Sequence, residues 1–456
     1  MEKKKSNLAF LPTPAVGHIQ STVEFAKRLL LHPSASGQLS VTFLLTPAAA
    51  SLFPFLVPPT NVEIAVHLLP DIEVPTLDAT DGIEDLISLY FQLYAPHVES
   101  ALAAISASAV IIDLFATAVI DAAKDLNIPA YVFFTSNAAM LALTLHLPAL
   151  CNELPEELWT FPGEVKVSGL APIPAISMPC PLMKKKNRCC TCFIYHGQRF
   201  KELRGIIPNT FWAIEQQVLS AIESDKSVPP VHPIGPVLCV DSAAAGGEGD
   251  ECLLWLDTQP AGSVVFLCFG SMGRMTAAQA AEAAAGIERS GHRFLWSLRL
   301  AEGEGEGLPL GFRERMNGRG MVLERWVPQV EVLGHAAVGG FVTHGGWNSC
   351  LESLWHGVPM VVWPMYAEQH LNAFMMAADM GVAAEIKADR RLGGWVTAQE
   401  VETKVRGLMG ESEEGRKVRE RVREIKEASR AAVDIGGSSW AALEKLVGEL
   451  LSEREE

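Results

Sequence analysis

The chain has 456 residues, of which 49% are hydrophobic and 20% are charged. This length exceeds what one hydrophobic core usually supports, so we expect two domains. The formal net charge of −16, from 53 acidic and 37 basic residues, argues against a broad basic surface for nucleic acids or anionic membranes.

In chain order, short apolar runs alternate with amphipathic stretches, a pattern typical of a parallel sheet with crossover helices. In the first half we predict strands at residues 7–11, 40–45, 109–112 and 130–134, and helices at residues 19–31, 96–107 and 116–126. In the second half we predict strands at residues 263–268, 293–298, 321–323, 340–343 and 359–363, and helices at residues 412–432 and 438–453.

The stretch 229–250 is rich in Pro, Gly and Ala and lacks periodicity, which indicates a connection between domains. We therefore predict an N-terminal domain at residues 1–235, a linker at 236–250 and a C-terminal domain at 251–435. The first apolar run ends at Pro12 and is too short for a secretion signal. Since no stretch approaches the roughly 20 apolar residues of a membrane helix, we expect a cytoplasmic protein without membrane insertion.

The nine cysteines are an odd number, which favours free thiols in a reducing compartment. Cys189, Cys190 and Cys192 form a cluster, but no second Cys or His pair follows at the spacing of a zinc site. We therefore expect no bound metal.

Three predicted strands of the second half are followed by glycine-containing or polar segments. Gly270 and Ser271 follow strand 263–268, His344 begins the segment after strand 340–343, and residues 364–369 follow strand 359–363. Because ligands bind at the carboxyl ends of parallel strands, glycine turns at helix starts there could hold a diphosphate. Glycine after a strand is more often plain turn chemistry, so the neighbouring polar residues decide the interpretation.

Two further side chains fit a nucleotide. Glu352 lies one helical turn beyond Asn348 and could bind two ribose hydroxyls, whereas Trp326 offers a flat face on which a base could stack.

Residues 326–369, WVPQVEVLGHAAVGGFVTHGGWNSCLESLWHGVPMVVWPMYAEQ, resemble the signature box of plant family 1 UDP-glycosyltransferases over its full 44 positions without a gap. The resemblance implies that Trp326 stacks on uracil while Gln329 and the backbone of Val327 bind its edge. The diphosphate would be held by His344, Asn348, Ser349 and Ser271, the ribose by Glu352, and the sugar by Glu368, Gln369 and Trp347.

In this family, Gln at the last box position is loosely associated with glucose rather than galactose, so Gln369 favours UDP-glucose as the donor. Gly345 departs from many relatives, which carry Cys there, but its side chain is not used for donor contacts.

The first half offers a general base for glycosyl transfer. His18 follows the first strand at a helix start, which favours the neutral imidazole that a base requires. Asp113 ends strand 109–112 and could fix the tautomer of His18 from a neighbouring strand. A structural histidine and an N-cap aspartate are the alternatives for these two residues.

The segments TPAVGHIQSTVEFAKRLL and VIIDLFATAVIDAAKDLNIPAYVFF resemble the catalytic-histidine and aspartate segments of the same family. This implies the GT-B fold, an α/β architecture with two facing Rossmann-like domains and a cleft between them. It also implies an acceptor site in the first domain, inversion at the anomeric carbon without metal or cofactor, and a C-terminal helix at about 436–456 packing on the first domain. Thr135 matches a position that contacts the donor sugar in some relatives. We expect a monomer.

Acceptor recognition is expected in the segments 78–94, 135–150 and 178–200, which contain several apolar side chains. The tentative acceptor residues are Gly17, Phe91, Met140, Leu145 and Phe193, although most of them could equally be core. Flavonoids, phenylpropanoids, terpenoids and hormones, the family's usual acceptors, all remain compatible. The rival functions are a C-glycosyltransferase and a catalytically silent protein that binds a UDP-sugar.

Overall fold

The computed structural model describes residues 5–56, 64–239, 250–388, 390 and 393–452. These residues form two compact units. Unit 1 comprises Met1–Ile173, Pro181–Cys239 and Ala431–Glu456, and unit 2 comprises Pro174–Cys180 and Val240–Arg430. Most of the predicted linker, residues 240–249, lies outside the described residues.

The strands, in chain order, are β1 Ser6–Leu11, β2 Leu39–Leu45, β3 Ile64–Leu68, β4 Ala109–Asp113, β5 Ala130–Phe134, β6 Glu164–Val165, β7 Ile173–Pro174, β8 Gly205–Pro208, β9 Val264–Cys268, β10 Arg293–Ser297, β11 Gly320–Leu323, β12 Val338–Thr343, β13 Met360–Val362 and β14 Ala383–Glu385. The helices are α1 Val16–Leu31, α2 Pro47–Leu56, α3 Ile83–Ala104, α4 Val119–Asp125, α5 Ala138–Leu150, α6 Arg188–Arg199, α7 Trp212–Ser224, α8 Glu251–Asp257, α9 Ala277–Ser290, α10 Phe312–Arg315, α11 Gln329–Gly334, α12 Trp347–His356, α13 Gln369–Phe374, α14 Ala398–Met409, α15 Glu413–Val433 and α16 Ser438–Ser452.

Each unit is built on a six-stranded parallel sheet, and the two sheets have the same strand order. The first runs β3-β2-β1-β4-β5-β8 and the second runs β11-β10-β9-β12-β13-β14. This is the doubly wound order of nucleotide-binding α/β domains. Successive strands are added outward in one direction from a central strand, and later strands are added on its other side in the opposite direction. The reversal falls between β1 and β4 in unit 1 and between β9 and β12 in unit 2.

The central strands are buried on both faces, as expected for a parallel sheet covered by helices on both sides. In unit 1, Phe10 of β1 stacks on Phe43 of β2 with ring centroids 5.4 Å apart. Phe25 of α1 contacts Phe133 of β5 at 4.9 Å. This packing fixes α1 against the sheet and thereby sets the position of the loop that joins β1 to α1.

The last helix of the chain packs on the first unit. Ser439 Oγ donates a hydrogen bond to the carbonyl oxygen of Gly235 at 2.5 Å, and Glu449 lies 3.1 Å from Nε2 of buried His232. Leu443, Leu446, Val447 and Leu450 of α16 join the hydrophobic core of unit 1.

The structure corrects the predicted bounds of one helix and adds several strands that were not predicted. The helix predicted at 96–107 is α3, which begins at Ile83 and keeps Pro96 in its interior, because Tyr90, Phe91 and Tyr94 bury one face before the proline. The strands β3, β6, β7, β8 and β14 were not predicted, since they are short or, in β3, largely exposed.

The segment Pro174–Cys180 also groups with unit 2, although the predicted N-terminal domain includes it. Buried Arg390 holds it there by donating to the carbonyl oxygens of Ile176 at 2.6 Å and Met178 at 2.7 Å.

No helix within the described ranges is long and apolar enough to cross a membrane. Across the same residues, no group of three or more His, Cys, Asp or Glu side chains could hold a metal ion. All nine cysteines lie in the described residues and none of them forms a disulfide, and burial raises the pKa of Cys189 to about 12 and that of Cys190 to about 11. The cysteine cluster therefore consists of protonated thiols.

Candidate active site

The first group of candidate residues lies where the strand order of the unit 1 sheet reverses. His18 is in the first turn of α1, directly after β1, and Asp113 is the last residue of the neighbouring strand β4. The side chains meet at the carboxyl edge of the sheet, with His18 Nδ1 2.7 Å from Asp113 Oδ2. The topology thus brings together two residues that are 95 positions apart in the sequence.

The carboxylate of Asp113 is held by other donors. Its Oδ1 accepts hydrogen bonds from Thr13 Oγ1 at 2.7 Å and from the backbone N–H of Phe115 at 3.2 Å. The Asp113 side chain is 1% exposed, whereas that of His18 is 26% exposed. Since an ionised carboxylate only accepts, the Nδ1 of neutral His18 carries the proton and its Nε2 keeps a lone pair.

Thr135 lies beside this pair. Its Oγ1 is 3.1 Å from His18 Nδ1, and the residue is 8% exposed. Thr135 follows β5, the strand next to β4, so the same sheet edge positions all three side chains. In this structure its hydroxyl therefore contributes to the surroundings of the histidine.

An aromatic cluster adjoins His18. The ring of half-buried Phe115 lies 6.2 Å from that of His18, and the ring of Phe193 lies 5.9 Å from that of Phe115. The ring of His196 also lies 5.9 Å from that of Phe115, and its two nitrogens are in hydrogen-bond contact with Ser88 and Thr117 at 2.9 and 2.7 Å. Burial lowers the pKa of His196 to about 4, so it is neutral at physiological pH.

The other tentative acceptor residues lie mostly in the core. Phe91, Met140, Leu145 and Phe193 are 0%, 3%, 6% and 5% exposed, and they belong to the helices α3, α5 and α6. Gly17 is half-buried beside His18. The three segments expected to be recognition loops are thus largely helical, and their apolar residues chiefly serve to pack these helices.

The second group of candidate residues lies where the unit 2 sheet reverses. Gly270 follows β9 with a φ of +71°, and a Cβ placed on it would lie 2.5 Å from Nε2 of His344. Only glycine allows the turn to approach the ring this closely. His344 is 6% exposed, and its pKa is lowered to about 4 by burial and, to a lesser extent, by the charge of Arg299.

The helix α12 carries the next four candidates. Trp347 and Ser349 are 3% and 7% exposed, and Asn348 is half-buried. Gln329 Nε2 donates to Ser349 Oγ at 3.0 Å and to Glu352 Oε2 at 2.6 Å. Burial raises the pKa of Glu352 to about 7, although the bond from Gln329 opposes this shift.

Trp326 and Val327 differ sharply in exposure. The indole of Trp326 is 52% exposed, whereas Val327 is 2% exposed. The preceding Arg325 binds Asp250 through two hydrogen bonds of 2.9 and 3.1 Å, which anchors the backbone before the tryptophan. An exposed indole on an anchored loop can stack on a planar ligand.

The end of the signature box forms a compact hydrogen-bonded turn. Gln369 Oε1 accepts from the backbone N–H groups of Met365 at 2.9 Å and Tyr366 at 3.0 Å. Glu368 Oε1 accepts from Asn372 at 3.2 Å. The N–H of Cys180 donates to the carbonyl oxygen of Ala367 at 2.8 Å, which ties the 174–180 segment to this turn.

Comparison with known proteins identifies the family. The model for UDP-glucoronosyl and UDP-glucosyl transferases matches residues 226–411. UDP-glycosyltransferase 71K2 of Pyrus communis is 40% identical over 99% of this chain and 99% of its own length. The chain belongs to the plant family 1 UDP-glycosyltransferases. It is therefore a glycosyltransferase that uses a UDP-sugar donor.

A further relative and a solved structure also match this chain over nearly its full length. Malvidin galactosylase UGT88C3 of Oryza sativa subsp. japonica is 39% identical over 98% of both chains. The structure of Phytolacca americana UGT2, complexed with UDP-2fluoro-glucose and pterostilbene, matches with a TM-score of 0.87 at 34% identity and covers 98% of this chain and 100% of that one. The two Rossmann-like domains of this glycosyltransferase thus have the GT-B fold.

Two residues of this glycosyltransferase were missed by the sequence analysis. Phe115 lies two positions after Asp113, and its place at a strand end was the available signal. Arg299 follows β10 and donates to the carbonyl oxygens of Gly270 and, at 2.7 Å, Ser271. Nothing in the sequence pattern marks Arg299, because the contact depends on how the loops after β9 and β10 fold together.

Proposed function

We propose that this glycosyltransferase transfers glucose from UDP-glucose to a hydroxyl of a small lipophilic acceptor, with inversion at the anomeric carbon. In this proposal His18 is the general base and Asp113 orients it. The observation that carries the proposal is the 2.7 Å contact between His18 Nδ1 and a carboxylate that Thr13 and the Phe115 backbone hold in place.

The proposed reaction has one displacement step. Nε2 of His18 takes the proton of the acceptor hydroxyl while the oxygen forms a bond to the anomeric carbon. The bond from that carbon to UDP breaks, and UDP leaves with the electron pair. Asp113 stabilises the imidazolium that forms, and a base of this kind contributes about 10²–10⁴ to the rate.

The donor roles follow the family pattern. We propose that exposed Trp326 stacks on uracil, that Gln329 and the Val327 backbone bind its edge, and that Glu352 binds the ribose. The diphosphate would be held by His344, Asn348, Ser349 and Ser271. In support, the pKa of His344, about 4, keeps its ring neutral, so that one nitrogen can donate to an anion without a buried charge.

The proposal that glucose is the donor sugar is based on the turn that ends the signature box. We propose that Glu368 and Gln369 bind sugar hydroxyls and that Trp347 lines the sugar site. Gln369 supports this role because two backbone donors hold its side-chain amide in a fixed orientation. A relative named as a malvidin galactosylase shows that family membership alone does not choose the sugar.

For the acceptor we propose a phenol. Pterostilbene and malvidin occur in the names of the matched proteins, and the aromatic ring of Phe115 next to His18 suits a flat phenolic ligand. Of the tentative acceptor residues, we favour Gly17 and Phe193, which lie in or next to this cluster.

The proposed function is tested by a screen for UDP release across phenolic and terpenoid acceptors, with UDP-glucose, UDP-galactose and UDP-glucuronate as donors. We expect the fastest transfer from UDP-glucose to a phenol. Acid hydrolysis of the product distinguishes the rivals, because an O-glucoside releases its aglycone and a C-glucoside does not. Faster transfer from either other donor, or an acid-stable product, would overturn the corresponding part of the proposal.

A further inference from the structure

The guanidinium of Arg299 binds two consecutive carbonyl groups of the turn after β9. Nη1 donates to the carbonyl oxygen of Ser271 at 2.7 Å, and Nη2 donates to that of Gly270. Arg299 itself is half-buried at the end of β10. A planar guanidinium with two parallel N–H groups matches this pair of acceptors, whereas an ammonium group does not.

These two contacts also fix the direction of two N–H groups. In a trans peptide the carbonyl and the next N–H point in opposite directions. With the carbonyls of Gly270 and Ser271 directed at Arg299, the N–H groups of Ser271 and Met272 are directed away from it. The guanidinium therefore sets the face of the turn on which backbone donors are presented.

The rest of the same loop is joined to the loop after β10 by backbone hydrogen bonds, whereas the carbonyl groups of Gly270 and Ser271 accept from a side chain. The N–H of Met275 donates to the carbonyl oxygen of Arg299 at 3.0 Å, and Ala301 donates to Met275 at 2.9 Å. Exposed Arg274 donates to the carbonyl oxygen of Leu300 at 3.2 Å. The Arg299 side chain therefore links the Gly270–Ser271 turn to the loop after β10, a link that backbone groups make for Met275 and Ala301.

The turn held by Arg299 adjoins His344, since the Cα of Gly270 packs against its imidazole. We infer that Arg299 is a positioning residue that holds the Gly270–Ser271 turn in the conformation that binds the diphosphate of UDP. This inference rests on the proposed function, in which Ser271 and His344 contact the diphosphate. It gives Arg299 the role of fixing the backbone conformation of the diphosphate site.

The test compares three variants of the full chain, Arg299→Met, Arg299→Lys and, as the matched control, Arg274→Met. For each variant the dissociation constants of UDP and uridine are measured by calorimetry, with ligand-observed NMR for the weaker ligand. Uridine lacks the diphosphate, so an unchanged uridine constant also shows that the site is folded.

We expect both Arg299 variants to weaken UDP binding by about tenfold or more, because an untethered turn binds only in a fraction of its conformations. Uridine binding should change by less than about threefold, as should UDP binding by Arg274→Met. Lysine should not rescue the site, because one ammonium cannot hold two carbonyls in this geometry.

Three results would overturn the inference. Unchanged UDP binding in Arg299→Met would show that the conformation of the turn does not depend on Arg299. Full rescue of UDP binding by lysine would show that a positive charge is sufficient at this position. An equal loss of UDP and uridine binding would show a general defect of the fold. If the unaltered protein bound UDP no better than uridine, the proposed diphosphate site itself would fail, independently of Arg299.

Discussion

The two sheets of this glycosyltransferase share one strand order, and each has a histidine at the point where that order reverses. In unit 1, His18 is partly exposed and its Nδ1 contacts the carboxylate of Asp113. In unit 2, His344 is buried, and the nearby charge is the guanidinium of Arg299. The same side chain therefore has an anionic neighbour in one unit and a cationic neighbour in the other.

In the proposed function, this difference gives the two histidines different chemical roles. A carboxylate stabilises the imidazolium, which suits a base that must accept a proton. Burial and a guanidinium disfavour the imidazolium, which suits a neutral donor to an anion. The strand order sets where the histidines lie, but the residues around them decide what each can do.

The largest expected effect comes from Asp113→Asn. Oδ1 accepts from Thr13 and from the Phe115 backbone, so the amide oxygen should keep that place and the amide nitrogen should face His18. A donor at Nδ1 would move the imidazole proton to Nε2 and block the base. We expect kcat to fall by about 10²–10⁴, measured under steady-state conditions.

Binding provides the control for this substitution. The dissociation constant of UDP should stay within about twofold, because Asp113 is not among the residues proposed to contact UDP. A variant with unchanged kcat would show that the carboxylate does not set the tautomer.

The second prediction concerns the other histidine. His344→Ala should raise the dissociation constant of UDP by about 10- to 100-fold, the effect of losing one hydrogen bond to a charged group. Calorimetry with UDP and uridine would measure this loss, and uridine should bind as before. Equal weakening of both ligands would contradict a specific role at the diphosphate.

The third prediction is a pH dependence in unit 2. Burial raises the pKa of Glu352 to about 7, so its carboxylate is protonated below that pH and charged above it. If ribose hydroxyls donate to the carboxylate, UDP affinity should rise about tenfold between pH 6 and pH 8. Titrations of Glu352→Gln provide the control, because the difference between the two proteins removes the titration of UDP itself. A pH dependence that Glu352→Gln fully retains would exclude this carboxylate.

The smallest effect concerns the aromatic residues of unit 1. Phe115→Ala should raise the KM of a phenolic acceptor by about three- to tenfold, with UDP affinity unchanged, because the lost ring contact is worth about 1 kcal/mol. Phe91→Ala is the contrasting variant. Since Phe91 is fully buried, its truncation should instead lower the free energy of unfolding by about 3–5 kcal/mol. Steady-state kinetics and denaturant unfolding distinguish the two, and an unchanged acceptor KM in Phe115→Ala would remove Phe115 from the acceptor site.

The elements predicted from sequence were those with continuous apolar runs. β5 was predicted with its observed bounds, and β1, β2, β4 and β9 within one residue at either end, because a strand buried on both faces must be apolar throughout. The exposed edge strand β3 carries no such signal, and the interior Pro96 of α3 was interpreted as a helix start.

The candidate site shows the same division. His18, Asp113 and the signature box could be found because strand ends and a family pattern mark them. Arg299 could not, since its contact arises between loops that are distant in sequence, and Phe115 was missed although its place after a strand end was visible. The burial of Phe91, Met140 and Leu145 also depends on helix packing, which apolar composition alone does not reveal.

The most direct test is the rate of a single turnover at saturating UDP-glucose in His18→Ala and His344→Ala, measured together with UDP affinity. We predict that His18→Ala loses about 10²–10⁴ in rate and keeps its UDP affinity, whereas His344→Ala loses chiefly affinity. A His18→Ala variant with an unchanged turnover rate would contradict the assignment of proton transfer to unit 1.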